Sequence, residues 1–150
     1  MGGHDGRRRA DARGGDALVG WTESDGESAL VKASGRAPGA AFELPAPSLD
    51  EPGASPRVGL DAAGDATAVW PGYDDGWVVK TGTRRAGGAW SAPSTVSPAV
   101  QASGLFLMGF AENASGQAVA GWETYANTHE WTFWAAASAS TCARCSRARS

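Results

Sequence analysis

Long apolar runs, histidine, cysteine and charge are all scarce in this sequence, and each shortage excludes something. No stretch approaches the ~20 apolar residues that a membrane-spanning helix needs, so no membrane insertion is expected. Charged residues make up 19%, below the ~25% usual for globular domains. Two His and two Cys leave little for a zinc site, which takes four ligands, and His4 and His129 do not stand at finger spacing from Cys142 and Cys145. A secretory leader needs an apolar segment after its basic start. Here Arg7, Arg8 and Arg9 are followed by Ala10, Asp11, Ala12 and Arg13. No G-x-S-x-G elbow occurs, and Thr128 beside His129 matches no triad signature.

What charge there is lies unevenly. Residues 1–13 carry four Arg against two Asp, and residues 144–150 carry three Arg and no acid. The whole chain's −3, less +2 and +3 for these tails, leaves −8 for residues 14–143. An acidic body is a poor match for phosphate, which is bound by Lys and Arg on the contact face, so no nucleic-acid partner is expected.

Glycine and tryptophan are plentiful. The 150 residues include 21 Gly and 7 Trp, with 42% hydrophobic. That composition points to short strands and tight turns rather than long helices, and the length suits one domain. Three segments repeat: Gly15-Asp16-Ala17-Leu18-Val19-Gly20-Trp21, Gly64-Asp65-Ala66-Thr67-Ala68-Val69-Trp70 and Gly116-Gln117-Ala118-Val119-Ala120-Gly121-Trp122. Their tryptophans fall 49 and then 52 residues apart. Gly39-Ala40-Ala41-Phe42-Glu43-Leu44-Pro45 likewise matches Gly87-Gly88-Ala89-Trp90-Ser91-Ala92-Pro93, offset by 48. Two elements that keep nearly one period indicate tandem duplication.

Each repeat reads as a meander of short strands. In the best-preserved copy the strands are 57–61, 66–70, 77–83 and 89–97, with Pro93 suiting an edge. Asp61-Ala62-Ala63-Gly64 is a turn in which the Asp side chain can accept backbone N–H groups ahead and Gly tolerates positive φ. Asn113-Ala114-Ser115-Gly116 repeats that chemistry, a simpler reading of these residues than a glycosylation sequon. Asp74-Asp75-Gly76 and Asp25-Gly26 are hairpin signals. The third copy gives strands 105–112, 118–124 and 130–136. Four strands per ~50 residues is the spacing of a β-propeller blade. The fold expected is therefore all-β, a partial β-propeller of two to three four-stranded antiparallel blades, with a β-sandwich as the alternative. Trp21, Trp70 and Trp122, and Phe42 with Trp90, are expected between stacked sheets, where a large indole needs small partners such as Ala.

The pattern D-x-x-G-x-A-x-x-x-W, then D-G, then G-G-A-W-S-A-P, resembles repeats of bacterial, especially actinobacterial, secreted propeller-like proteins. These are broadly similar to sialidase-type and Kelch-type propellers. The resemblance covers about 14–137, divided as 14–50, 51–100 and 101–137, and implies a secreted or surface parent. No S-x-D-x-G-x-x-W box occurs, so no sialidase catalytic residue carries over. The third copy lacks its G-G-A-W-S-A-P element. In its place stands an Arg/Ala/Ser/Cys tail that reads like a frameshifted end of a longer propeller. Residues 1–13 and 138–150 are expected to be unstructured. Two and a half blades cannot close a ring of 4–8, so self-association through open blade faces is an expected outcome.

The candidate binding residues are Tyr73, Asp74, Asp75 and Trp77: aromatics beside acids at a loop end, the chemistry by which propeller lectins stack on sugar rings and bond hydroxyls. Tyr125, Trp131 and Trp134 surround the equivalent third loop, although a strand buried on both faces explains Trp131 and Phe133 as well. Asp74 and Asp75 offer two carboxylates to an ion that takes six to eight oxygens, so a hairpin is the simpler reading. Cys142-Ala143-Arg144-Cys145 lacks the following helix of a redox motif. The carboxylate pairs Glu23 with Asp25 and Glu123 with Glu130 are what a glycosidase remnant would retain. The function expected is a non-catalytic binding or scaffold module for glycan or a surface protein, without cofactor or metal. A hydrolase remnant and a nonfunctional gene fragment are the alternatives.

Overall fold

A computed structural model of the chain describes residues 8–11, 15–24, 26–50, 52–126, 131–139 and 142–148, and the side chains of 15–24, 26–49, 52–126 and 131–137. Twelve strands and no helix occur among them. They form three antiparallel sheets of four strands, each a meander in chain order. Sheet 1 holds β1 (Arg8–Asp11), β2 (Ala17–Ser24), β3 (Ala29–Arg36) and β4 (Ser48–Asp50). Sheet 2 holds β5 (Arg57–Leu60), β6 (Ala66–Tyr73), β7 (Trp77–Arg84) and β8 (Ser94–Thr95). Sheet 3 holds β9 (Gly104–Glu112), β10 (Ala118–Tyr125), β11 (Trp131–Ala139) and β12 (Cys142–Ala148). None closes on itself, and the all-β architecture fits partial blades.

The turns form as their chemistry dictates. Asp61 Oδ1 accepts from the N–H groups of Ala63 (2.8 Å) and Asp65 (2.9 Å), and Gly64 takes φ +82°. Asn113 Oδ1 does the same for Ser115 (2.9 Å) and Gln117 (3.0 Å), with Gly116 at +75°. In the first copy Gly15 takes the equivalent conformation, at +84°.

The outer strands depart most from expectation. The expected fourth strand 89–97 is only Ser94–Thr95, joined by an Arg84–Trp90 bridge. Pro93 and Pro98 have no N–H to give a ladder, so pairing there stays short. In contrast, strands occur within both segments expected to be unstructured. Backbone 8–11 pairs with 17–20, and 142–148 pairs with 133–139. Edge pairing is a main-chain bond that needs no side-chain pattern, so an Arg-, Ala- and Cys-rich segment can complete a sheet without resembling the strand it replaces.

Sheet 2 lies between the others. One core joins Leu18, Val31, Ala33 and Leu49 of sheet 1 to Val58, Ala66, Ala68 and Trp70 of sheet 2. The other joins Val69 and Val79 of sheet 2 to Leu105, Leu107, Ala120, Trp122 and Ala136 of sheet 3. Trp70 and Trp122 are fully buried wedges in these junctions, as expected. Trp21 is not: it occupies the same strand position but faces outward from sheet 1, beside Val19, Phe42 and Leu44. Trp70 and Trp122 each point toward the preceding sheet, and among the described residues no sheet stands in front of Trp21. Trp90 packs on the first core, whereas Phe42 sits on the outer face beneath the Arg36 guanidinium, 5.4 Å away.

Polar contacts also tie sheets 2 and 3, and one of them holds a buried carboxylate. Thr67 Oγ1 donates to Glu112 Oε1 (2.9 Å), while Glu112 Oε2 is buried without a partner. Loss of water raises the Glu112 pKa above its usual 4.5, and the charges of Asp61 and Asp65 add to this, against the Thr67 hydrogen bond. A raised carboxylate stabilises the fold most below its ordinary pKa and loses that contribution as pH rises through the folded value. Glu112→Gln is therefore expected to raise the urea midpoint at pH 7 and to lose that advantage below about pH 4, checked by unfolding curves at both pH values.

Candidate functional site

The four residues singled out in sequence lie on one hairpin, β6–β7. Tyr73 and Trp77 are its last cross-strand pair, and Asp74-Asp75-Gly76 is the loop. The chain reverses through positive φ at Asp75 (51°) and Gly76 (149°), and the Asp74 N–H donates to the Gly76 carbonyl (2.9 Å). Segment 100–101 braces the loop from one side. Trp77 and Val100 exchange both backbone hydrogen bonds at 2.9 Å, and Gln101 Nε2 donates to the Asp75 carbonyl.

The side chains divide their tasks. Tyr73 is 53% exposed, and its ring meets the Trp77 ring edge-on at 5.7 Å and 89°. Trp77 is half-buried and packs on the core between sheets 2 and 3, so it supports Tyr73 more than it faces solvent. Asp74 is fixed by Lys80, whose Nζ lies 3.0 Å from Oδ1, and by Thr95 Oγ1, which donates to Oδ2 at 3.2 Å. The Lys80 hydrogen bond holds the Asp74 carboxyl below its usual pKa. Partial loss of water opposes it, and the Lys80 charge and the Thr95 hydroxyl reinforce it. The tip thus presents an aromatic face, a fixed carboxylate and the exposed Asp75. That combination can stack on an apolar ring face and accept hydrogen bonds from hydroxyls or amides.

Lys80 and Thr95 were not among the sequence candidates, yet Lys80 had a signal. Lys32 precedes it by 48 residues, the offset of the G-G-A-W-S-A-P element. Both lysines pair across the ladder with a repeat Trp: Trp21 with Lys32, Trp70 with Lys80. Lys32 reaches Glu23 at 3.6 Å as Lys80 reaches Asp74.

The third-sheet counterpart is partly visible. The Tyr125 and Trp131 rings meet at 4.8 Å, tilted by 39°, and Phe106 lies 6.4 Å from Trp131. Trp134 instead points inward, donating from Nε1 to Thr124 Oγ1 at 3.1 Å. Trp131 and Phe133 remain 47% exposed, so β11 is buried on one face and open on the other, which corrects the two-sided burial considered for them. His129, Glu130, Asp25 and His4 lie outside the described residues, and the Cys142 and Cys145 side chains lie outside the described side chains. Of the carboxylates a glycosidase would need, Glu23 is engaged by Lys32. Among the described residues no three His, Cys, Asp or Glu side chains gather as a metal site.

A charged cleft of about 330 Å³ opens between sheets 1 and 2. Arg84 fills its wall: Nη1 lies 3.1 Å from Glu43 Oε2, and the guanidinium sits 5.4 Å over Trp90. A Cβ on Gly35 would overlap Arg84 Nη2, so this Gly lets the arginine cross between the sheets. Within the cleft Arg84 and Glu43 pair across the junction of sheets 1 and 2. No protein-family model matches the chain, and no curated protein is significantly similar to it.

Proposed function

We propose that this chain is a non-catalytic binding or scaffold module of a propeller-like surface or secreted protein, its three sheets being consecutive blades, and that the β6–β7 tip contacts glycan or a protein surface. One observation carries the reading. Tyr73 stands half in water on a Trp77 anchored in the core, next to a carboxylate held in place by Lys80 and Thr95. A rigid aromatic platform with a pre-oriented acceptor loses little entropy on binding, which suits shallow recognition of sugar rings or peptide.

The test is a glycan array followed by calorimetry on the full chain. Tyr73→Ala is expected to weaken binding about tenfold or more, the ~1.4 kcal/mol per decade of a lost aromatic contact. Asp75→Asn removes an exposed acceptor charge and weakens it less. Trp77→Ala is a poor probe because it also opens the core. Unchanged affinity in Tyr73→Ala would remove this hairpin from recognition.

A further inference from the structure

The two outer faces of the stack are the unmatched halves of a junction that the chain already makes twice. Strand register makes the correspondence residue by residue. On the inner face of sheet 1, Leu18, Val31 and Ala33 are buried against sheet 2. The same register positions on the far face of sheet 3 are Val119, Phe133 and Ala135, and here Val119 and Phe133 are each 47% exposed. Trp131 holds the position of Trp77, which packs into the second core. At the other end, Trp21 and Val19 hold the positions of Trp70 with Ala68 and of Trp122 with Ala120, all four buried in junctions. Arg36 over Phe42 on the open face repeats Arg84 over Trp90 in the closed one, both at 5.4 Å.

Space agrees with this correspondence. A Cβ on Gly20 would meet Val58 Cγ1 at 2.6 Å, because sheet 2 presses there, whereas the equivalent Gly121 has only a carbonyl at 3.9 Å.

We infer that the open face of sheet 3 of one copy docks on the open face of sheet 1 of a second copy, and that two copies close into a ring of six sheets. The inference rests on the stacked-blade reading and not on the loop-tip ligand. Head-to-tail contacts either close or grow into filaments. Three sheets among the described residues of each copy and closed rings of 4–8 blades leave two copies as the solution. Half-exposed, the rings of Phe106, Trp131 and Phe133 each leave roughly 100 Å² in water. With Met108 and Val119 the face reaches on the order of 400–500 Å², the upper end of what monomers expose. Two junctions cover four such faces, about 1,600–2,000 Å², the size of a stable interface.

Sedimentation velocity and light scattering on the full chain test this. The expected species is a discrete dimer of twice 15.3 kDa. Trp21→Glu and Phe133→Glu should each raise the dimer dissociation constant at least 100-fold while leaving the β-sheet circular dichroism intact. Mixing the two variants should restore a dimer, since one intact junction survives between them. If Trp21→Glu unfolds, Leu44→Glu, 80% exposed on the same face, takes its place. A wild-type chain that stays monomeric with native circular dichroism overturns the ring but not the blade stack. A dimer that resists one of the two variants means a face-to-same-face contact, and a ladder of larger species means an open filament. Both overturn it as well.

Discussion

Trp70→Ala and Trp122→Ala are each expected to lower the unfolding free energy by about 3–5 kcal/mol, and Trp21→Ala by under about 1 kcal/mol in dilute solution. The three indoles share one repeat position, so strand propensity and sequence neighbourhood are nearly held constant; Trp21 and Trp70 also share a lysine as ladder partner, where Trp122 has Trp134. What differs is the sheet in front of them. Trp70 is 0% exposed with Ala66 and Ala68 beside it, Trp122 is 1% exposed, and Trp21 lies on an open face. Removing a buried indole forfeits the transfer free energy of roughly 150–250 Å² and leaves a cavity that stiff neighbouring strands cannot collapse into. Small domains hold only ~5–15 kcal/mol in total, so either core change removes a large share of it. Urea midpoints at constant protein concentration check this. The Trp21→Ala cost should grow with protein concentration if the open faces pair, by mass action. Equal losses at all three positions would mean that the repeat tryptophans are not distinguished by stacking.

The second large effect has opposite signs at two equivalent glycines. Gly20→Ala is expected to cost about 1–3 kcal/mol, while Gly121→Ala in dilute solution is neutral or stabilises by up to ~1 kcal/mol. The new methyl at position 20 would sit 2.6 Å from Val58 Cγ1, and valine is stiff at χ1, so the sheets themselves must separate. At position 121 the methyl meets only the Trp134 carbonyl oxygen, at 3.9 Å, and removes the entropic penalty of glycine in a strand. Gly59 guards the other junction, where a Cβ would come within 2.8 Å of both Glu112 Cβ and Phe110 Cε1, so Gly59→Ala should behave like Gly20→Ala. Thermal midpoints measured by circular dichroism check the three changes.

Much of this arrangement is legible in the sequence. The repeated D-x-x-G turns bracketed strands 57–60, 66–73, 104–112 and 118–125 to within a few residues, because an Asp or Asn accepting from backbone N–H groups ahead, with glycine at positive φ, is complete within five residues. Ala66, Ala68 and Trp70 share one face of β6 for the same reason: a strand's sidedness is set by its own period of two. The hairpin of Tyr73, Asp74, Asp75 and Trp77 was equally local, and its four residues could be placed together from adjacency alone.

Sequence by itself thus determined the strands, the turns, the handing of apolar positions to one face or the other, and the tandem copying. Tertiary structure alone decided which copies of a repeated position are buried: Trp70 is and Trp21 is not, although their strands read alike. It also decided that Lys80 and Thr95 lock Asp74, that Arg84 crosses to Glu43 over Gly35, and that segments 8–11 and 142–148 complete sheets 1 and 3. Turn and strand preferences act over two to five residues and are written in the residues concerned. Burial, ion pairing between sheets and edge pairing depend on what arrives from ~40–50 residues away, and nothing in a single repeat records whether a neighbour stands in front of it.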